Sequence, residues 1–250
     1  MPLSSAEKVK SDIRQRYDRY ANVELSLQGA YETVGPAKHY FRLRKLETAL
    51  ELGAFPAGGQ LLDIGCNIGQ FSLPLARMGY RVTGVDLSVH AITLARQRAQ
   101  KEGLSSVSFL PTDAESLGRF SDGFFDGVVS FSTLRYVPSL PKALLEIRRV
   151  LKPGGCVVAD FPNRWCPWFY VKQWLGSEVH PHDHWFTAGL LRKLFEETGF
   201  HRCRIRKILF TPTIAPQALL KIFQVVDWAG ERVPGMRDLA GILTVAAHKP

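Results

Sequence analysis

The sequence predicts an α/β protein with a doubly wound, mostly parallel sheet. Short apolar segments alternate with amphipathic helical segments between residues 60 and 161, which is typical of a parallel sheet covered by helices on both faces. A glycine-containing turn at 65–69 follows the first apolar segment, where doubly wound sheets bind ligands. Two late apolar segments flank a Pro-containing insertion, which predicts an antiparallel hairpin at the sheet edge.

Helices are predicted before residue 55, because apolar residues recur there at helical spacing. These residues are Ile13, Tyr17 and Tyr20 in a first segment and Leu43, Leu46, Leu50 and Leu52 in a second. Residues 53–59, with three glycines and a proline, end the pattern. We therefore expect an N-terminal helical cap at 1–55 and a main domain at 56–250.

The main domain is predicted to contain strands followed by helices, with right-handed crossovers. The predicted strands are 60–64, 81–85, 107–110, 125–131, 156–161, 202–210 and 242–247. The predicted helices are 70–78, 91–102, 142–151 and 187–198. Insertions are expected at about 163–186 and 211–240.

Composition and termini favour a cytoplasmic globular protein. The 250 residues are 46% hydrophobic and 22% charged, which excludes a disulfide scaffold, a collagen and a wholly disordered chain. The N-terminus lacks a secretory pattern, and no apolar run is long enough to cross a membrane. The cysteines are widely spaced, which indicates buried thiols in a reducing compartment.

The turn after the first strand has the pattern D-x-G-x-x-x-G, in which Asp63 precedes Gly65 and Gly69. This spacing does not match the dinucleotide-binding fingerprint GxGxxG. A carboxylate beside the turn would repel phosphates, so Asp63 and Gly65 favour a ligand with an ammonium or sulfonium centre.

Two more acids follow the next two strands. Asp86 ends the second strand, 21 residues after Gly65, a distance typical of an acid that binds ribose hydroxyls. Asp113 follows the third strand, where its carboxylate can accept a hydrogen bond from an adenine amine. Acids at three successive strand ends predict a site for an adenosine with a positive tail.

With these motifs the sequence resembles the class I S-adenosylmethionine-dependent methyltransferases, especially the small-molecule group that includes the ubiquinone/menaquinone methyltransferases. The segments that carry the resemblance are LLDIGCNIG (61–69), GVDLS (84–88), TDAE (112–115), FDGVVSFSTLRYV (125–137) and RRVLKPGG (148–155). The resemblance implies a Rossmann-like, seven-stranded sheet whose last strand is inserted antiparallel. It also implies S-adenosyl-L-methionine as cofactor, bound by residues that include Leu87, Ala114, Ser130, Phe131 and Tyr17.

The sequence departs from the family pattern in two places. Asn67 occupies the position of the family's middle glycine; we expect it to bind the cofactor there, because Asn tolerates a left-handed backbone. Arg135 and Tyr136 stand where many relatives carry a His, so any role of that His is in doubt here.

A catalytic base is sought in the segment 180–184, which contains three His and one Asp. Two interpretations stay open: a polar loop whose Asp183 caps the next helix, and a base or substrate contact, for which His182 or His184 is the candidate. The spacing does not match a hydrolytic zinc motif, and no metal is predicted. An aromatic run at 165–174 would line an apolar pocket, contact a membrane interface or pack in a core.

We therefore predict methyl transfer to a small-molecule acceptor by in-line displacement, with O-methylation slightly favoured because of the candidate His bases. The alternatives are an RNA or protein methyltransferase and an inactive cofactor-binding regulator. The net charge is +9, and residues 161–250 carry 12 basic and 7 acidic side chains. This excess on the substrate side favours an anionic acceptor or an anionic membrane surface over nucleic acid, and the aromatic run at 165–174 leaves an aromatic or lipidic acceptor open. The oligomeric state stays open.

Overall fold

The computed structural model describes residues 4–28, 35–174, 182, 184–212 and 216–250. Within these residues one sheet contains seven strands: β1 Gln60–Ile64, β2 Arg81–Asp86, β3 Val107–Pro111, β4 Phe125–Ser130, β5 Leu151–Pro162, β6 His201–Ile208 and β7 Ile242–His248. Their order is β3-β2-β1-β4-β5-β7-β6. The first five strands are parallel, and β7 is antiparallel to both β5 and β6. The predicted doubly wound sheet with an antiparallel hairpin is thus confirmed.

The described helices flank this sheet. They are α1 Ser5–Gln28, α2 Pro36–Gly53, α3 Ser72–Arg77, α4 Val89–Lys101, α5 Leu140–Val150, α6 Pro167–Trp174, α7 Ala188–Glu197 and α8 Leu220–Gly230. Hydroxyl caps set three of the starts: Ser88, Ser139 and Thr187 accept hydrogen bonds from backbone N–H groups three residues later. Consequently α4 and α5 begin two residues before their predicted starts.

The largest difference from the predicted strands is at β5. Leu151 pairs with Phe125 of β4, and the register shifts before Cys156 pairs with Gly127. The strand therefore begins at 151, five residues before its predicted start at 156, and includes the Lys-Pro-Gly-Gly segment at 152–155.

Helix α2 packs on the sheet with a face that its leucine pattern does not predict. Leu46 and Leu52 are buried, but Leu43 is 42% exposed and Lys45 is only 5% exposed. Leu46 and Leu52 form a core with Val129 of β4 and Val158 of β5. The packing brings Lys45 to the carboxyl ends of these two strands, beside the cavity described below.

The opposite face of the sheet carries the larger core. Phe125 and Phe161 pack there against Leu144 and Ile147 of α5 and Phe195 of α7. The four cysteines are buried free thiols. None of the helices in the described part of the chain is long and apolar enough to cross a membrane.

Candidate active site

The parallel strands all end at one edge of the sheet, and a cavity of about 400 Å³ lies there. The sheet order places the following residues along this edge: Asp113 after β3, Asp86 at the end of β2, Gly65 after β1 and Ser132 after β4. Neighbouring strands lie about 4.8 Å apart, so this row of residues matches an extended ligand. Helices α1 and α2 contribute the remaining wall.

The glycine turn adopts a left-handed backbone at three positions. The φ angles are +76° at Gly65, +48° at Asn67 and +81° at Gly69. A Cβ at position 65 would lie 1.9 Å from the Thr133 hydroxyl oxygen, so glycine is required there for packing as well as for its φ. Asn67 accommodates the conformation that the family pattern gives to glycine.

Asp86 is the most firmly held acid in the cavity wall. One carboxylate oxygen accepts from the backbone N–H of Asn67 at 2.9 Å, and the other from the N–H of Ser88 at 2.9 Å. Burial raises the pKa of Asp86, while these two N–H groups oppose the rise. The carboxylate therefore links the glycine turn to the start of α4, with lone pairs left for a ligand.

Asp113 also lines the cavity, but it has a charged partner. Lys10 of α1 places its ammonium nitrogen 2.5 Å from Asp113 Oδ2 and forms a second ion pair with Glu115. The Asp113–Lys10 pair is partly exposed. The middle of α1 is further fixed by Asp18, which accepts a hydrogen bond from the Ser88 hydroxyl. Helix α1 thus covers the part of the cavity at β2 and β3.

Four more predicted cofactor residues, Leu87, Ala114, Phe131 and Tyr17, line the cavity. Phe131 stacks on Phe71 with ring centroids 3.9 Å apart. The rings of Tyr17 and Tyr136 meet edge to face at 5.9 Å. Burial raises the pKa of Tyr17 well above its usual value, so its hydroxyl stays protonated.

Three predicted residues lie outside the lining. Asp63 is buried behind the turn and accepts a hydrogen bond from the Ser72 hydroxyl at 2.6 Å. Burial raises the pKa of Asp63 to about 7. Ser130 is buried and donates to the Ile64 carbonyl at 3.0 Å, and Gly69 packs against Leu73 and Phe109. These three residues shape the turn and the strand ends.

The candidate bases also lie outside the lining. The His182 Nε2 atom is 3.4 Å from Asp12 Oδ2 of α1. His184 is exposed, and its backbone N–H donates a hydrogen bond to the Arg135 carbonyl. His180 and Asp183 fall outside the described residues. Among the residues that are described, no three His, Cys, Asp or Glu side chains are grouped to hold a metal ion. In the aromatic run, Trp165 and Trp174 are exposed.

Several lining residues are not among the predicted site residues. Lys10 and Arg16 of α1 and Phe41, Arg42 and Lys45 of α2 lie outside the motifs that carry the resemblance. Thr133 and Tyr136 lie inside the motif at 125–137, where Tyr136 departs from the family pattern. Lysine and arginine on amphipathic helices are ordinarily surface residues, so the sequence contains no signal that would place the α2 cations at a cavity.

The polar groups of the cavity fit an adenosine with a cationic tail. The Asn67 side-chain oxygen and the Thr112 hydroxyl oxygen are buried and have no hydrogen-bond partner among the described residues. Both residues line the wall, beside the two carboxylates. Buried acceptors without partners are uncommon and point to a missing donor, and a nucleoside supplies several. A doubly wound sheet with acids at its carboxyl edge is the arrangement expected from the resemblance to the class I S-adenosylmethionine-dependent methyltransferases.

Comparisons with known proteins agree with that class. Residues 62–159 match a family model described as a methyltransferase domain. An S-adenosyl-L-methionine-dependent Diels-Alderase of Talaromyces variabilis is 40% identical over 117 residues, which are 45% of this chain and 40% of the relative. A ubiquinone biosynthesis O-methyltransferase of Dinoroseobacter shibae is 31% identical over 163 residues, 62% of this chain and 65% of the relative.

Among solved structures, a Thermotoga maritima S-adenosylmethionine-dependent methyltransferase aligns with a TM-score of 0.68 and 19% identity, over 95% of this chain and 99% of that one. Residues 62–159 are therefore an S-adenosylmethionine-dependent methyltransferase domain, and the predicted family resemblance, fold and cofactor are confirmed for this domain. The chain spans only 40% and 65% of the length of the two curated relatives.

Proposed function

We propose that the protein transfers a methyl group from S-adenosylmethionine to a small-molecule acceptor, with an oxygen nucleophile favoured. The observation that carries this proposal is one cavity that extends from the acids at β2 and β3 to the side chains of α2. The cofactor would lie in the first part, and an acceptor in the second. The ubiquinone O-methyltransferase relatives support oxygen as the nucleophile.

In this proposal Asp86 binds the ribose hydroxyls, and Asp113 accepts from the adenine amine. Both carboxylates lie in the wall at adjacent strand ends. The cofactor's tail would then continue along the edge past Gly65 and Asn67 toward Phe131, where β4 ends. When bound, S-adenosylmethionine supplies an activated methyl group on a sulfonium centre.

The residues of the chain would contribute mainly position and exclusion of water. Helices α1 and α2 cover the cavity and would act as the predicted N-terminal cap. His182 and His184 stay candidate bases. Since both lie outside the cavity lining, a movement of the segment around them would be needed for either to reach an acceptor. We place the protein in the cytoplasm.

Cofactor binding tests the first half of the proposal. Replacing Asp86 by Ala removes a charged acceptor and leaves the N–H groups of Asn67 in the turn and of Ser88 at the start of α4 without their acceptor, so we expect calorimetry to show at least about a 100-fold loss of affinity for S-adenosylmethionine. Asp122→Ala is the control, because this carboxylate is exposed and lies outside the lining. Unchanged affinity in the Asp86 variant would contradict the assignment.

Methyl transfer itself is measured as S-adenosylhomocysteine formed with a panel of phenols, carboxylates and amines. A second candidate function predicts a different result. The Diels-Alderase relative, together with the lack of an imidazole in the described cavity lining, supports a cyclisation in which the cofactor is bound but not consumed. Tight cofactor binding without S-adenosylhomocysteine formation across the panel would favour that candidate.

A further inference from the structure

A buried ion pair forms the α2 end of the cavity. The Lys45 ammonium nitrogen lies 2.7 Å from Asp160 Oδ2, and both side chains are almost completely buried. Asp160 belongs to β5, the strand next to β4 on the side away from β1. The pair thus lies beyond Ser132, at the end of the cavity opposite the acids proposed to hold the adenosine.

Ser132 connects this ion pair to the cavity wall. Its hydroxyl is 2.7 Å from Lys45 Nζ, and its backbone N–H donates to Asp160 Oδ1 at 2.5 Å. Ser132 has a φ of +54°, a strained value for a residue with a side chain. The strained turn, the carboxylate and the ammonium therefore hold one another in a fixed arrangement.

The ammonium has hydrogen-bonding capacity to spare. A lysine ammonium has three N–H groups; one donates to the Ser132 hydroxyl, whereas Asp160 Oδ2 is in ion-pair contact and has no hydrogen-bond partner among the described residues. The Phe41 ring lies 5.0 Å from Nζ. Lys45, Ser132 and Phe41 all line the cavity, so an acceptor oxygen in the cavity can reach the ammonium.

The charges of the lining favour an anion at this end. The cations in the lining are Lys10, Arg16, Arg42 and Lys45, and the acids are Asp86 and Asp113. Both acids lie at the end of the cavity that is proposed to hold the cofactor (the cofactor end), where Lys10 pairs with Asp113. At the α2 end the lining contains Arg42 and Lys45, and the acid that pairs with Lys45, Asp160, lies outside the lining.

We propose that Lys45 is an anion-binding residue for the acceptor. A carboxylate or phenolate-type oxygen of the acceptor contacts the Lys45 ammonium, and an aromatic ring of the acceptor packs on Phe41. Asp160 and Ser132 are positioning residues that hold the ammonium in place. An ammonium has no lone pair, so Lys45 binds an oxyanion and does not remove a proton. This inference rests on the proposed function, because it names the acceptor class of the same site.

A binding experiment tests the subsite without requiring turnover. The full chain is saturated with S-adenosylhomocysteine and titrated with benzoate, with neutral benzamide and with cationic benzylamine, each followed by ligand-observed NMR. Benzoate is expected to bind roughly 10- to 100-fold more tightly than benzamide, because its hydrogen bond to the ammonium is charge-assisted. Benzylamine binding as tight as that of benzoate would overturn the proposal.

The variant compared is the double change Lys45→Met with Asp160→Asn, which removes the ammonium without leaving a buried, unpaired carboxylate. The double variant is expected to lose the preference for benzoate. Lys193→Met is the matched control, since Lys193 is exposed and lies outside the lining. Equal benzoate affinity in the double variant and in the original protein would overturn the proposal.

The two proposals fail in different ways. If S-adenosylhomocysteine does not bind, the proposed function is contradicted, and the same benzoate titration of the unloaded protein still tests the subsite. If S-adenosylhomocysteine binds but benzoate does not, the anion subsite is contradicted while the proposed function stands.

Discussion

Two lysine–aspartate pairs mark opposite ends of the cavity, and they differ in burial. Lys10 and Asp113 form a partly exposed pair at the cofactor end, whereas Lys45 and Asp160 are almost completely buried at the α2 end. A partly exposed pair contributes little to stability and opens easily. A buried pair is costly to break, because either partner alone is an uncompensated charge. The Lys10–Asp113 pair can therefore open so that Asp113 binds a ligand, whereas the Lys45–Asp160 pair keeps one geometry.

The largest expected effect of this difference is on stability. Replacing Lys45 by Met leaves the Asp160 carboxylate buried without its cation, so we expect the free energy of unfolding to fall by about 3–5 kcal/mol. The matched change at the other end, Lys10→Met, removes the cation from the partly exposed Asp113 and from the buried Glu115, which keeps a hydrogen bond from the Ser139 N–H; we expect it to cost about 1–3 kcal/mol, less than the Lys45 change. Urea denaturation of both variants measures the contrast.

The double variant Lys45→Met with Asp160→Asn shows whether the unpaired charge is the cause. It should be more stable than the single Lys45 variant, because a neutral amide is easier to bury than a carboxylate. If the single and double variants lose the same stability, packing rather than charge accounts for the loss, and the two ends of the cavity do not differ as described.

The cofactor end was predictable from the sequence, and the α2 end was not. Asp86, Gly65 and Asn67 lie close together because parallel strands end at one edge, and strand ends are visible in a single sequence. Asp63 was also identified, but as a ligand contact, whereas the structure places it behind the turn with Ser72. Strand periodicity does not reveal which of two acids on neighbouring strands, Asp63 of β1 or Asp86 of β2, faces the cavity.

Lys45 could not be found from the sequence, for a different reason. The leucines of α2 predict one buried face, but the contact of α2 with β5 and β7 rotates the buried face toward Lys45 and Thr48. Asp160, its partner, is 115 residues away in sequence. A pair of this kind is set by tertiary packing, which overrides the local pattern. The same limit applies to Lys10 and Asp113, which are separated by 103 residues.

Asp63 shows what burial does to an acid that has no lysine partner. Asp63 is buried, and no described lysine or arginine forms an ion pair with it; burial raises its pKa from the usual 3.8 to about 7. The folded state therefore binds this proton more tightly than the unfolded chain does. The resulting stability is complete below about pH 4 and is lost as the pH rises through 7.

Asp63→Asn measures this contribution, because the amide cannot titrate. Between pH 5 and pH 8 the free energy of unfolding of the original protein should fall by about 2–3 kcal/mol relative to the variant, since one pKa unit corresponds to about 1.4 kcal/mol. Asp122→Asn, at an exposed carboxyl, provides the control and should follow the original protein. Parallel pH profiles for the original protein and the Asp63 variant would show that the buried carboxyl is not protonated.

The smallest expected effect concerns the exchange of partners at Asp113. If Asp113 accepts from the adenine amine, the ligand competes with Lys10 for Oδ2, which lies 2.5 Å from the ammonium. Lys10→Met should then raise the affinity for S-adenosylmethionine by about 2- to 5-fold, since a partly exposed pair is worth up to about 1 kcal/mol. Lys101→Met, at an exposed lysine on α4, controls for the lost positive charge, and calorimetry measures both variants. A lower affinity in the Lys10 variant would mean that Lys10 holds Asp113 in place for the ligand. The ion pair at the cofactor end would then position a side chain, as the buried pair at the α2 end is proposed to do, and the contrast between the two ends would be one of burial alone.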